Sequence, residues 1–346
     1  MVYSFGLTKH ANIRYREVIS RLGRCELLCM LKALSLSPDV QEESLGGASF
    51  LTFSCRKLTE SELQYLSGHS AVVFMAQRTE DGFLYPLDIP SADYLPEDLP
   101  EVLKYKGKTG ASFTRMMLNM AVSLRGCPSE MEKITAFDPL CGKGTSCFCA
   151  LQAGMNAVGL DLDRKAVREA VDYFSRYLRI HGLKHTMNSR SETAQKDALP
   201  LTEFVFAAEK EQYLAGNTRR LTLAVGDTGL SPALFRKRKA QVILADLPYG
   251  VQHAPRFGQV PESFPRLLER ALPLWRNALD DRGVIALSFN TLTLPTHSVV
   301  SLLEKAGFSP FSGSVFDQMT HEVEQAVVRN VVLASKNAEV LYDDRE

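Results

Sequence analysis

The stretch Ile134 to Asp138, apolar but for Thr135 until its final acid, runs into Pro139-Leu140-Cys141-Gly142-Lys143-Gly144 and then into a helical segment opened at Thr145. A strand that empties into a glycine-bearing turn and then a helix belongs to the carboxyl edge of an open α/β sheet, where ligands bind. The alternation continues with a helix from Thr145 to Ala153, a strand from Asn156 to Leu160 and a helix from Arg164 to Ile180 that stops at Gly182. Strands over Leu221–Val225 and Gln241–Ala245 follow, then an amphipathic helix (Leu267, Leu268, Ala271, Leu272, Trp275, Leu279), a strand over Gly283–Phe289 and a helix over His297–Ala306. This order predicts an α/β fold with a doubly wound, Rossmann-like sheet. The last two strands, near Ser312–Phe316 and Ala326–Ala334, have too short a connection for a parallel crossover, so the sheet is expected to end in an antiparallel hairpin. His185 to Asn217, polar and weakly periodic, reads as an insertion.

Residues 1–100 read as a separate, small α+β unit. Strands are expected at Val2–Leu7, Ala48–Cys55 and Ala71–Gln77, with helices over Arg24–Leu34 and after Thr59, where Glu62 completes a capping-box pattern. Strand, helix, strand, helix, strand predicts a sandwich of ferredoxin-like type. Pro86, Pro90, Pro96 and Pro100, interleaved with acids, mark a linker, so the division is 1–100, 101–335 and a polar tail over 336–346. With 45% hydrophobic residues in 346, both units have material for a core. Forty basic residues balance forty acidic ones, so a polyanionic partner must meet a local patch.

Seven cysteines with no secretory leader pattern point to a reducing cytoplasm, and no apolar run approaches the roughly 20 residues of a membrane helix. Neither Cys25 with Cys29 nor Cys141 with Cys147 and Cys149 has a second ligand pair at zinc-like spacing, so no metal is expected and the thiols read as buried structural groups. The runs Arg219-Arg220 and Arg236-Lys237-Arg238-Lys239 enter the third and fourth strands from the edge opposite the turn and are candidates for one basic patch.

Three strands of the large unit end on acids: Asp138, Asp161 and, after Gly226, Asp227. A dinucleotide turn would place a third small residue at Cys147, which argues against a nucleotide-dependent oxidoreductase. S-adenosylmethionine suits the arrangement. Asp138 would accept from its ammonium group through a backbone or water link, Asp161 from the ribose hydroxyls and Asp227 from the adenine amine, with Pro139, Cys141, Gly142, Gly144 and Thr145 forming the turn beneath. Asp163 reads as the N-cap of the following helix.

The fourth strand ends in Asp246-Leu247-Pro248-Tyr249. A carboxylate and a carbonyl that each accept one hydrogen of an exocyclic amine favour a pyramidal nitrogen whose lone pair can attack a methyl group. Pro248 holds the Leu247 carbonyl by restricting the residue before it to extended geometry. Stacking of a base on Tyr249 is worth roughly 1–3 kcal/mol.

Asp138 to Thr145 together with Asp246 to Gly250 resembles the class I amino-methyltransferases, in particular the THUMP-associated tRNA guanine-N2 methyltransferases. The segment Leu103 to Thr109 with Phe113-Thr114-Arg115 resembles the piece that closes over the methionine end of their cofactor. The resemblance covers about residues 100 to 335 and implies a seven-stranded sheet. It also implies Phe113 and Thr114 beside the cofactor with Asp138, Gly142, Asp161 and Asp227, and Asp246 with Tyr249 on the base. The usual D-P-P-Y form has proline where this chain has Leu247, and the N-terminal unit leaves little room for a full THUMP module. An RNA substrate, tRNA in first place, would meet Lys104, Lys106 and Lys108 at the junction and His253 and Arg256 after the reacting motif. The rival readings are a DNA adenine-N6 or cytosine-N4 methyltransferase and a non-catalytic RNA-binding protein that keeps the fold.

Overall fold

The computed structural model describes residues 1–9, 13–101, 109–126, 130–194, 197–247, 256–257, 260–324 and 326–337. The N-terminal part comprises β1 (Val2–Leu7), α1 (Ile13–Ala33), β2 (Val40–Leu45), β3 (Ala48–Ser54), α2 (Glu60–Ser67), β4 (Val72–Arg78) and β5 (Leu84–Pro86). Its sheet has the order β2-β3-β1-β4-β5 with every pair antiparallel, so the first four strands reproduce the ferredoxin-like βαββαβ arrangement. Alternation along β1 sends Tyr3, Phe5 and Leu7 to the helix-covered face, where they pack with Ile19, Leu27, Met30 and Leu31 of α1 and Leu66 of α2. The capping box is present: Glu62 N–H donates to Thr59 Oγ1 at 3.2 Å, and Thr59 N–H donates to Glu62 Oε2 at 2.7 Å.

α1 begins eleven residues earlier than the expected Arg24, since Tyr15, Val18, Ile19 and Leu22 continue the apolar stripe. It also serves two cores. Ile19, Leu27, Met30 and Leu31 face the small sheet, while Leu22, Cys25 and Cys29 join the core of the large one. The expected linker is likewise packed: Leu95 and Leu99 are buried in the large core, and Asp93 pairs with Arg115 at 3.0 Å.

The large part runs α3 (Ala111–Arg125), β6 (Thr135–Asp138), α4 (Thr145–Gln152), β7 (Asn156–Asp161), α5 (Arg164–Ile180), β8 (His185–Ala194) and β9 (Asp197–Phe206). It continues through α6 (Lys210–Leu214), β10 (Arg219–Val225), α7 (Ser231–Leu234), β11 (Ala240–Asp246), the short pair β12 (Arg256–Phe257) and β13 (Val260–Pro261), and α8 (Phe264–Ala278). β14 (Leu279–Asn290), α9 (Thr296–Lys305), β15 (Ser309–Pro310), α10 (Ser314–Asp317), β16 (His321–Glu324) and β17 (Val327–Ser335) complete it.

The strands β10-β7-β6-β11-β14 are parallel, and β17 lies antiparallel beside β14 with β15 beyond it. These seven strands have the expected doubly wound, Rossmann-like order with an antiparallel end. Two features differ from expectation. The His185–Asn217 insertion folds into the β8–β9 hairpin and α6, and the hairpin extends the sheet past β10. Ser312–Phe316 is not a strand: Val315 and Phe316 are buried from the turn of helix α10, which splits the outer strand into β15 and β16, each paired with one end of β17.

Alternate residues of the parallel strands feed opposite faces. Val242 and Leu244 of β11 join the core shared with α3, α4 and α5, whereas Ile243 and Ala245 join the one shared with α8 and α9. Burial on both faces explains the near-continuous apolar run before Asp246. Among the described residues, no helix is long and apolar enough to cross a membrane.

Candidate active site

The chain winds from β6 outward to β7 and β10, then returns to β11 and β14 on the other side of β6. The sheet order therefore reverses between β6 and β11, and the crevice at their carboxyl ends is where such a fold takes a ligand. Asp138 ends β6 and Asp246 ends β11, so the two acids flank the crevice; Asp161 ends β7, and Asp227 follows β10.

Asp138 is 7% exposed. Its carboxyl accepts from the Leu140 N–H at 2.9 Å and from the Ser146 hydroxyl. Burial dominates these two bonds and raises the Asp138 pKa to about 7, with the charges of Asp161 and Asp246 acting in the same direction. Asp161 is likewise raised by burial, although it accepts from Gly142 N–H at 2.7 Å and from Asp163 N–H at 2.8 Å. Asp163 caps α5 as expected, accepting from Lys165 and Ala166 N–H groups.

The turn between β6 and α4 is held from beneath by Cys141 N–H to Leu160 O at 3.1 Å, and it closes through Gly144 N–H to Cys141 O at 2.7 Å. Pro139 is buried, Gly142 and Gly144 take left-handed φ values of 50° and 85°, and Thr145 starts α4. A Cβ at Gly142 would meet no atom within 4 Å, so the turn presents open backbone to the crevice. The third glycine of a dinucleotide turn is replaced here by a glycine on the neighbouring strand. A Cβ at Gly159 would stand 2.8 Å from Cys141 Sγ and 3.0 Å from Cys147 Sγ, so β7 supplies the room that Cys147 needs. Burial drives both thiols well above their ordinary pKa, which suits packing groups rather than nucleophiles.

Asp227 is clasped. It accepts from Gly229 N–H at 2.8 Å and from Arg270 of α8 through Nη1 at 2.5 Å and Nη2 at 3.2 Å. The same guanidinium holds Glu262 at 3.0 and 3.3 Å, and Trp275 Nε1 donates to Thr228 Oγ1 at 2.9 Å, so α8 fixes this corner of the crevice. Trp275 is fully buried, as its place on the apolar face requires.

At the other wall, Leu247 N–H donates to Ser288 O at 2.8 Å and carries the β11–β14 ladder one residue past Asp246. The Asp246 carboxylate accepts the hydroxyl of Thr109, which precedes α3. Phe113 packs against the rings of Tyr15 and His321, while the Thr114 hydroxyl turns back to Gly110 O at 3.3 Å. Arg256 lies on β12, whereas Lys104, Lys106, Lys108, Pro248, Tyr249 and His253 lie outside the described residues.

In the two basic runs, four side chains have partners within the protein. Arg219 is buried, bonded to Gly154 O and 4.4 Å over the Tyr94 ring, and Arg220 pairs with Glu203 at 2.7 Å. Arg236 is tied to Thr193 O and Lys239 to Asn277 O.

Ser146, Arg270 and Arg329 bond the candidate acids or their partners and were not singled out in the sequence, whereas Thr109 was named as the end of the segment Leu103 to Thr109. Arg329 carried a signal, being the one charge in Val327 to Ala334; Ser146 and Arg270 had none at their own positions.

No family model and no curated protein matches the chain. Its arrangement is similar to several solved structures. TrmN from Thermus thermophilus aligns at TM-score 0.37 and 14% identity, over 89% of this chain and 64% of that one. The magnesium protoporphyrin IX methyltransferase ChlM from Synechocystis, solved with bound SAM, aligns at 0.37 and 13% over 67% and 87%. A TehB-like SAM-dependent methyltransferase from Corynebacterium glutamicum aligns at 0.35 and 16% over 59% and 80%. At these scores the strand order and the placement of the acids remain the physical basis for reading the site.

Proposed function

We propose that the chain transfers a methyl group from S-adenosylmethionine to an exocyclic amine of a nucleobase, with N2 of guanosine in tRNA or another structured RNA as the acceptor. The observation that carries this reading is the placement of Asp138 and Asp246 at the carboxyl ends of adjacent parallel strands, one on each side of the point where the sheet order reverses. A cofactor whose end is cationic fits Asp138: burial works against its charge, and an ammonium group would relieve that penalty. The open backbone at Gly142 leaves room beside it, and Asp161 is oriented by two N–H donors to accept from ribose hydroxyls. Asp227, ordered by Arg270, is the acceptor for the adenine amine.

The cofactor supplies an electrophilic methyl group. On the acceptor side, the Asp246 carboxylate and the Leu247 carbonyl each take one amine hydrogen and aim the nitrogen lone pair into the crevice. Fixing these two acceptors in advance lowers the barrier through positioning, with little demand for acid or base chemistry. The unit over residues 1–100 would recognise the RNA, since α1 packs on α3, and α3 follows directly from Thr109 and Gly110 beside Asp246.

The test is to incubate the protein with labelled S-adenosylmethionine and separate pools of tRNA, rRNA and DNA, then digest and identify the labelled nucleoside. Label in N2-methylguanosine that disappears with Asp246→Ala is the expected result. Cofactor binding without transfer to any pool would sink the nucleic-acid assignment.

A further inference from the structure

Arg329 is a cation placed where a β-sheet rarely keeps one. It sits in β17 between Val328 and Asn330, 6% exposed, opposite Asn290 of β14 and His321 of β16. Because β17 runs antiparallel, its first residues lie at the edge where β11 and β14 end, two residue pairs along β14 from the Asp246–Ser288 pair. A buried guanidinium is costly unless it is held in good geometry. The contacts that hold this one include a hydrogen bond from Nη2 to Thr109 Oγ1 at 3.3 Å and the Phe113 ring, whose centre stands 4.4 Å from the guanidinium carbon.

Donor and acceptor chemistry sets the direction of both hydrogen bonds to Thr109. A guanidinium only donates and an ionised carboxylate only accepts, so the Thr109 hydroxyl must accept from Arg329 and donate to Asp246 Oδ2. The hydroxyl thus has one orientation, with its proton directed at Oδ2 of Asp246. We propose that Arg329 and Thr109 form a positioning relay that orients Asp246 toward the acceptor amine, a role that rests on the reading of Asp246 given above. Thr109 acts directly on the carboxylate, and Arg329 reaches it through Thr109. The relay joins the connection before α3 to the antiparallel strand that distinguishes this sheet from a fully parallel one.

This dependence makes a sharp test, using the full chain, labelled S-adenosylmethionine and the nucleic-acid pool that the wild-type chain methylates. Thr109→Val is expected to lower kcat about tenfold, the range for losing a hydrogen bond to a charged group at a site that works by alignment. Cofactor affinity measured by calorimetry should fall less than kcat does, because the Thr109 hydroxyl bonds the acid on the acceptor side of the crevice. Thr109→Ser should recover most of the rate, Arg329→Met should lower kcat in the wild-type background, and Thr109→Val/Arg329→Met should be no slower than Thr109→Val alone.

Full additivity of the two effects overturns the relay, as does a Thr109→Ser variant as slow as Thr109→Val. A Thr109→Val variant faster than wild type overturns it too, since the hydroxyl would then be competing with the acceptor amine. If Arg329→Met fails to fold, the Val and Ser variants at position 109 decide the matter by themselves. Absence of transfer by the wild-type chain overturns the proposed function itself, and this role with it.

Discussion

Asp138→Asn probes the least comfortable group in the crevice. The carboxyl goes from an ordinary pKa of 3.8 to about 7 in the folded chain, with burial as the leading cause. A folded pKa above the unfolded one means that the neutral acid is tolerated and the anion is penalised, so the folded state is favoured below pH 4 and loses that advantage as pH rises through 7. The shift of about 3 units corresponds to about 4 kcal/mol between pH 4 and pH 8. Asparagine copies the neutral acid. Its oxygen can accept from Leu140 N–H and its amide can donate to Ser146 Oγ, so both existing partners remain satisfied.

Urea unfolding of the cofactor-free protein at pH 4, 5, 6, 7 and 8, wild type against variant, reports on Asp138 and the acids coupled to it, because titrations uncoupled from it cancel in the difference. The variant should match wild type near pH 4 and exceed it by about 3–4 kcal/mol at pH 8. A difference that stays flat with pH, or a variant less stable than wild type at pH 8, would refute the assignment of a buried, charge-averse carboxyl. The same shift predicts that binding a cationic ligand at pH 6 expels about one proton from wild type and none from the variant, which calorimetry in two buffers of different ionisation enthalpy would measure.

Gly159→Ala puts a methyl group 2.8 Å from Cys141 Sγ and Leu223 Cδ2 and should cost about 1–3 kcal/mol in urea unfolding; an effect below a few tenths would mean that the turn has slack. Trp275→Phe removes the chain's one tryptophan and its bond to the buried Thr228 hydroxyl, with an expected loss of about 2 kcal/mol followed by circular dichroism. Arg270→Met leaves the Asp227 and Glu262 carboxylates without their shared partner and should weaken S-adenosylmethionine binding several-fold in a calorimetric titration; unchanged affinity would remove Asp227 from the cofactor site.

What the sequence disclosed divides by range. The acids at the strand ends, the Thr59–Glu62 capping box and the Asp163 cap were legible because each cause lies within a few residues of its effect. β2 was not foreseen: of Val40-Gln41-Glu42-Glu43-Ser44-Leu45 only Val40 is buried, so an edge strand with polar faces shows no alternation. The β8–β9 hairpin hid in the same way, since most of β8 is exposed on both faces. Val315 and Phe316 were read as strand residues because two adjacent apolar side chains do not reveal their period; a single buried helical turn leaves the same trace as a short strand. The partners that shape the site were out of reach for another reason. Arg270 meets Asp227 across 43 residues of chain, and Arg329 meets Thr109 across 220, and no local periodicity records a pairing that only the sheet order creates.

Long-range polar pairs also govern how the two sheets act together. Glu26 of α1 is fully buried at their junction, where it accepts from Ser70 N–H at 2.9 Å, from the Ser70 hydroxyl at 2.5 Å and from Asn119 Nδ2 of α3 at 2.6 Å. His69 stands beside it at 3.4 Å, but its Nδ1 accepts from Ala71 N–H, so the ring carries its proton on Nε2, toward Gly23 O and Glu26. The carboxylate is therefore held by directional donors from the small sheet and from α3 rather than by one diffuse cation. Arg115 extends the network from Asn119 to Asp93, and Gln152 of α4 closes it on the far oxygen of Asp93 at 2.8 Å. Donors of fixed direction on both sides permit one relative placement of the two sheets, where a purely apolar seam between α1 and α3 would tolerate sliding. Because α3 begins at the residues that follow Thr109, that placement also bears on where the Thr109 hydroxyl meets Asp246, so the small unit contributes to the geometry of the crevice.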